Sequence, residues 1–129
     1  MGKQKRVRPT DAELEILRVL WENGPNTVRA VHEELSRSRE LGYTTVLKLL
    51  QIMTDKGLVV RDESQRSHVY RARHKQEQTQ RHLVSDLLAR AFGGSAEKLV
   101  AQALRSRKVS AEQLAEIRKL LDDLEGKQP

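Results

Sequence analysis

The sequence predicts a mainly α-helical fold that contains one small β-hairpin. Six segments carry apolar residues at helical spacing, most clearly Val46, Leu50 and Met53, and glycine, proline or polar stretches separate these segments. Two short β-like runs, at residues 58–60 and 68–71, lie between the third and the fourth segment. The predicted order is therefore three helices, a hairpin and three further helices.

The composition restricts the class of protein. The chain has 129 residues, and 24 lysines and arginines against 18 acidic residues give a net charge of +6. This balance favours an anionic partner, either nucleic acid or anionic lipid. The absence of cysteine excludes disulfides, thiol catalysis and thiolate metal sites within the chain. Because the chain lacks both a secretory signal and a run of roughly 20 apolar residues, we expect it to be cytoplasmic.

Residues 1–9 are predicted to form a flexible basic arm. They contain Lys3, Lys5, Arg6 and Arg8 and no acidic residue. Such a segment could follow DNA phosphates or act only as a solubilising tail.

The first two helices have recognisable start and stop signals. Thr10 and Glu13 have capping-box spacing, and the run 23–25 (Asn-Gly-Pro) ends the first helix. The pair Asn26-Thr27 can cap the second helix, which ends near Ser36 to Ser38. The apolar residues are Leu14, Ile16, Leu17, Val19, Leu20 and Trp21 in the first helix and Val28, Val31 and Leu35 in the second, with Arg29, His32 and Glu33 expected to point outward.

The third helix and the hairpin suit recognition of DNA. Val46, Leu49, Leu50 and Met53 form one apolar stripe, whereas Thr44, Lys48, Gln51 and Asp55 fall on the other side. Gly57 ends this helix, and the hairpin that follows carries Arg61, Arg66 and Arg71. Hydroxyl, amide and ammonium groups can read base edges in the major groove while a basic hairpin lies on the adjacent backbone. The alternative is a solvated helix face beside an ordinary hairpin.

The order of elements decides between these alternatives. Helix, helix, turn, helix and hairpin is the order of a winged helix-turn-helix. We therefore predict a DNA-binding domain over residues 10–75, with the hairpin as its wing. The low aromatic content of 3% disfavours single-stranded RNA or DNA, which is bound largely by stacking.

Residues 76–129 are predicted to form a three-helix dimerisation region. Ser95 can cap the second of its helices, and Ser110 with Gln113 has capping-box spacing before the third. Three short helices make a thin core, so we expect their apolar stripes to meet a second copy of the chain. The predicted dimer contacts are Leu87, Leu88, Phe92, Leu99, Leu104, Leu114, Ile117, Leu121 and Leu124.

The sequence offers no pattern for catalysis, a cofactor or a metal. The histidines His32, His68, His74 and His82 lack metal-ligand spacing. There is no phosphate-binding glycine loop, and no serine lies in a nucleophile-elbow pattern. We predict a binding protein, not an enzyme.

Several separated motifs together resemble the penicillinase repressor family, of the BlaI/MecI/CopY type. They occur in order over roughly residues 10–125: Leu17-Arg-Val-Leu-Trp21, Thr27-Val-Arg-Ala-Val-His32, Tyr43-Thr-Thr-Val46, Gly57-Leu58-Val59, Tyr70-Arg-Ala72, and Phe92-Gly93-Gly94 with Leu99-Val100. The resemblance implies a dimeric bacterial repressor that binds inverted repeats, often with TACA and TGTA half-sites. It also implies control of β-lactamase, penicillin-binding or copper-handling genes.

The resemblance implies which residues contact DNA and how the repressor is released. The helix that starts at Thr44 would be the recognition helix. Its main contacts would be Thr44, Thr45 and Lys48. The sequence pattern and the resemblance together predict as DNA-binding residues Tyr43, Thr44, Thr45, Lys48, Gln51, Arg66, His68 and Arg71. In the antibiotic branch of the family, the repressor is inactivated when a membrane-bound sensor metalloprotease signals. The repressor is then cleaved at an Asn-Phe bond within the second carboxy-terminal helix. That bond aligns with Gln102-Ala103 in this sequence. The copper branch senses metal through cysteines, which this chain lacks.

Two functions from different classes follow from the sequence. The first and favoured function is a dimeric sequence-specific repressor, and the second is a winged domain that binds protein and uses its basic residues for solubility. A salt-dependent mobility shift of duplex DNA in the presence of the protein would favour the repressor over the protein-binding domain.

Overall fold

The computed structural model describes residues 8–126, so most of the predicted basic arm lies outside the described residues. The predicted order of six helices is confirmed, with a small antiparallel sheet. The contacts divide the chain into two compact units between Val84 and Ser85. The elements are α1 (Asp11–Asn23), β1 (Asn26–Thr27), α2 (Val28–Leu35), α3 (Tyr43–Lys56), β2 (Val59–Asp62), β3 (Val69–Ala72), α4 (Gln76–Ala91), α5 (Ala96–Ser106) and α6 (Ala111–Leu124).

The capping signals in the sequence fix the helix ends of the first unit. The Thr10 hydroxyl accepts a hydrogen bond from the Glu13 backbone N–H at 3.2 Å, and the Glu13 carboxylate accepts one from the Thr10 N–H at 2.9 Å. The Thr27 hydroxyl accepts from the Ala30 N–H at 3.2 Å. Gly57 ends α3 in the left-handed region, with φ of 81°, which residues with a Cβ rarely adopt.

The sheet has one strand more than the predicted hairpin. β3 lies in the centre and pairs antiparallel with both β2 and β1, so that Tyr70 is opposite Arg61 on one side and Asn26 on the other. The sequence predicts the two residues of β1 only as the cap of α2, because two residues are too few to show strand alternation. Their pairing depends on β3, which is more than 40 residues away in the sequence.

The core of the first unit lies between α1, α2, α3 and the sheet. The predicted apolar stripes supply most of the core, and Tyr70 of β3 is buried in it as well. Its buried apolar side chains are Ile16, Leu17, Val19, Leu20, Val28, Val31, Leu35, Val46, Leu50, Met53, Leu58, Val59 and Tyr70. One feature departs from the sequence prediction, because His32 is half-buried instead of pointing outward. Glu13, for which the sequence predicts only a capping role, is buried among these apolar residues.

The first turns of α4 belong to the first unit. The indole N–H of Trp21 donates a hydrogen bond to the carbonyl oxygen of His74, at 2.9 Å, just before α4 begins. Side chains of α1 and of the first turns of α4 also line one shallow pocket, among them Leu14, Thr79 and Leu83. The boundary after residue 75, between the winged domain and the dimerisation region, stays a prediction.

The second unit consists of the end of α4 together with α5 and α6. The Ser95 hydroxyl accepts from the Lys98 N–H at 3.2 Å, and Ser110 and Gln113 form the predicted capping box. Although its helices are well capped, none of the described residues of this unit is buried. Within residues 8–126, no helix is both long and apolar enough to cross a membrane.

Candidate DNA-binding surface

The outer face of α3 carries the polar residues that the sequence assigned to it. The buried face of the helix holds Val46, Leu50 and Met53, so α3 is fixed against the core through one side only. The other side is open to solvent. Its exposed residues include Tyr43, Thr44, Thr45, Lys48, Gln51 and Asp55. The structure thus brings the five predicted residues of the recognition helix together on one surface.

The amino-terminal end of α3 is open to a partner. Gly42 is the N-cap and provides no side-chain hydrogen bond to the first turn. The first N–H groups of a helix have no acceptor within the helix, and the helix dipole gives this end a partial positive charge. The exposed hydroxyls of Thr44 and Thr45 lie in the same turn. This end can therefore donate hydrogen bonds to phosphate or base oxygens.

The wing carries exposed basic side chains that can contact DNA. Arg66 and His68 lie in the segment between β2 and β3, and Arg71 lies on β3; all three are exposed. Among the described residues, no ion pair is formed by Arg66 or Arg71. Arg61 differs, because its Nε donates to the Glu63 carboxylate at 2.8 Å.

Ile52 belongs to the same surface but was not predicted. It lies one turn after Lys48 on α3, and 38% of its side chain is exposed. An exposed aliphatic side chain in the major groove can contact the methyl group of thymine. Residue 52 comes four positions after Lys48, so helical spacing alone would place it on the same face of α3. The sequence prediction includes only polar side chains on this face.

A buried ion pair fixes the carboxy-terminal end of α3. The Glu13 carboxylate, only 2% exposed, accepts hydrogen bonds from Nζ of Lys56 at 2.8 and 3.0 Å. Burial by itself raises the pKa of Glu13, but the hydrogen bonds from Lys56 and Thr10 and the charge of Lys56 outweigh burial, so the pKa lies below its usual value. Glu13 is therefore ionised at neutral pH and ties the first turn of α1 to the end of α3.

The predicted dimer contacts all lie on the surface of the isolated chain. Leu88, Phe92, Leu99, Leu104, Leu114 and Ile117 are half-buried, and Leu87, Leu121 and Leu124 are exposed. Leu121 is 54% and Leu124 is 75% exposed, which is unusual for large apolar side chains on a predicted inner stripe. Gln102 and Ala103, the predicted cleavage residues, are exposed within α5. Residues 8–126 contain no group of three or more side chains that could hold a metal ion.

Comparison with known proteins agrees with this architecture. The family model described as penicillinase repressor matches residues 9–123. The chain is 35% identical over 123 residues to the transcriptional regulator BlaI of Mycobacterium tuberculosis, covering 95% of this chain and 88% of that protein. It is 24% identical over 114 residues to the penicillinase repressor of Bacillus licheniformis, covering 88% and 89% of the two chains. The chain therefore belongs to the penicillinase repressor family of transcriptional repressors.

Proposed function

We propose that this chain is a dimeric repressor that binds inverted-repeat operators in double-stranded DNA and reads them with α3. The observation that carries this proposal is the single exposed surface formed by the outer face of α3 and its open amino-terminal end. The major groove admits one α-helix, and Thr44, Lys48 and Gln51 carry the groups that pair with base edges. Arg66, His68 and Arg71 extend the surface along the wing toward the neighbouring phosphates.

Lys48 and Arg66 are expected to respond differently to substitution. If Lys48 contacts a base, Lys48→Ala should weaken binding to the operator by about 1 to 3 kcal/mol and weaken binding to random duplex less. Arg66→Ala, through loss of a phosphate contact, should weaken both duplexes alike and lower the salt slope by about one. Titrations of fluorescent duplexes at several salt concentrations measure both effects, with an operator first selected from a random library by the wild-type protein.

The matched control is Lys119→Ala, since Lys119 is an exposed lysine of α6. It removes the same charge from the second unit and should leave the affinity for both duplexes unchanged. Unchanged binding by both the Lys48 and Arg66 variants would place the DNA surface elsewhere. If the wild type selects no duplex, the competing role as a protein-interaction module would be favoured.

The second unit is the proposed dimer interface. Its helices have amphipathic sequences, yet none of its described residues is buried in the single chain. Each large apolar side chain that becomes buried contributes about 1.5 to 3 kcal/mol, so the exposed leucines favour association with a second copy. Two linked winged domains can then read half-sites about one helical turn, roughly 10 bp, apart.

Release from DNA is proposed to follow cleavage of α5 at Gln102-Ala103, with a membrane sensor metalloprotease as the partner that triggers it. Both residues are exposed, but they lie within a helix, so a protease must first open α5 locally. The regulated genes would be those of β-lactamase or of a related stress response. The repressor itself would act in the cytoplasm. An immunoblot of cells treated with a β-lactam should show a shortened chain when the target genes are switched on. Full-length protein throughout that interval would exclude cleavage as the signal.

A further inference from the structure

His32 lies where α2, the following turn and the start of α3 meet. Its Nε2 is 2.7 Å from the carbonyl oxygen of Leu41. Its ring lies edge-on to the ring of Tyr43, with 5.8 Å between the centroids and 77° between the planes. Leu41 and Tyr43 flank Gly42, the N-cap of α3. One half-buried side chain of α2 therefore contacts both sides of the point at which α3 begins.

The acceptor determines the protonation of this nitrogen. A carbonyl oxygen can only accept a hydrogen bond, so Nε2 of His32 must carry the hydrogen and donate it to Leu41. The Ser36 hydroxyl is also near Nε2, at 3.3 Å, but this longer contact is secondary. Replacing His32 by a residue without a donor would leave the Leu41 carbonyl without this partner.

The other polar restraints on the turn are weaker or act elsewhere. Arg39 forms an ion pair with Glu15 of α1, but the two side chains are 46% and 37% exposed, and pairs that water can reach in this way contribute little. The Ser38 hydroxyl donates to the Leu35 carbonyl at 3.3 Å and stays within the end of α2. Gly42 contributes no side-chain cap. The entry of α3 is thus held by the packing of Leu41 against the core and, among the described polar side-chain contacts, by the hydrogen bond from His32 to the Leu41 carbonyl.

We propose that His32 is a positioning residue for operator recognition, which sets the place and direction in which the first turn of α3 meets DNA. This inference rests on the proposed reading of DNA by α3. Tyr43, Thr44 and Thr45 all lie in that first turn, so a shift of its backbone moves three predicted contacts together. Hydrogen bonds to base edges lose strength steeply with misalignment, whereas attraction to phosphates depends little on direction. Loss of the His32 contact should therefore reduce sequence discrimination more than total DNA affinity.

Two substitutions separate the hydrogen bond from the ring. His32→Phe keeps an aromatic ring beside Tyr43 and removes the donor, and His32→Gln keeps an N–H donor at a similar reach. For the full-length protein, the probes are an operator duplex selected by the wild type and a scrambled duplex of equal composition. We expect His32→Phe to weaken operator binding by roughly 5- to 20-fold, as for the loss of about one hydrogen bond between the displaced first turn of α3 and a base, and to change scrambled-duplex binding by less than about twofold. His32→Gln should restore most of the discrimination.

A purely structural role predicts a different result. It would lower the melting temperature and reduce binding to both duplexes by the same factor, and that result would overturn the inference. So would a His32→Phe protein that discriminates like the wild type. If His32→Phe does not fold, His32→Gln decides, because a folded glutamine variant that loses discrimination contradicts the proposal. A wild-type protein without any discrimination would instead refute the proposed function itself, and the inference with it.

Discussion

Replacing Leu121 by glutamate is expected to convert the proposed dimer into monomers and to lower affinity for a full operator by about 10²- to 10⁴-fold. The reason is that linked domains bind the second half-site at high effective concentration, an advantage that is lost on dissociation even though no DNA contact changes. Leu121 is 54% exposed in the single chain and lies on the predicted apolar stripe of α6. Burying a glutamate there without a partner would oppose association.

Ala115→Glu is the matched control for this experiment. Ala115 is also an exposed residue of α6, but it lies outside the apolar stripe that contains Leu121, and its replacement changes the net charge equally. Sedimentation should show monomers for Leu121→Glu and dimers for Ala115→Glu, and only the first should lose operator affinity. Both variants should bind a single half-site equally. A Leu121→Glu monomer that still binds the full operator tightly would contradict the dimer as the binding unit.

Replacing Lys56 by methionine is expected to lower the free energy of unfolding by about 3 kcal/mol. Removing one partner of a buried ion pair leaves an uncompensated charge, which typically costs about 3 to 5 kcal/mol. The lower end applies because the Lys56 side chain is 32% exposed, so water can approach the remaining carboxylate of Glu13. Urea denaturation measures the loss. Lys48→Met is the control, since it removes an exposed lysine of the same helix and should change stability little.

The same pair predicts how stability depends on pH. The pKa of Glu13 is lower in the folded chain than its usual 4.5, so its ionised form is favoured by folding. The contribution of ionised Glu13 to the free energy of unfolding is fully present above its unfolded-state pKa. It is lost as the pH falls through the lower folded-state pKa. The stability difference between the wild type and Glu13→Gln should therefore be constant near neutral pH and shrink below about pH 4.5. A difference that stays constant into the acid range would show that the ion pair is not its source.

Much of the fold could be predicted because its signals are local. The capping box of Thr10 and Glu13, the cap at Thr27 and the left-handed stop at Gly57 each involve neighbours in sequence, and each was confirmed. The outer face of α3 was also predictable, because its apolar stripe defines the opposite side. The position of Ile52 on this face was not predicted, because the prediction of DNA contacts rested on polar side chains and Ile52 is aliphatic.

What the sequence by itself determined is the order of elements, the ends of the helices and which side of α3 faces outward, since periodicity and capping act within a few residues. Only the tertiary structure decided that β1 pairs with β3, that Glu13 meets Lys56 and that His32 contacts the entry of α3. Glu13 reads as a capping residue in the sequence, and the structure adds its second role as the buried partner of Lys56, 43 residues away. Such contacts join residues far apart in the chain, and their partners are defined only when the helices pack together.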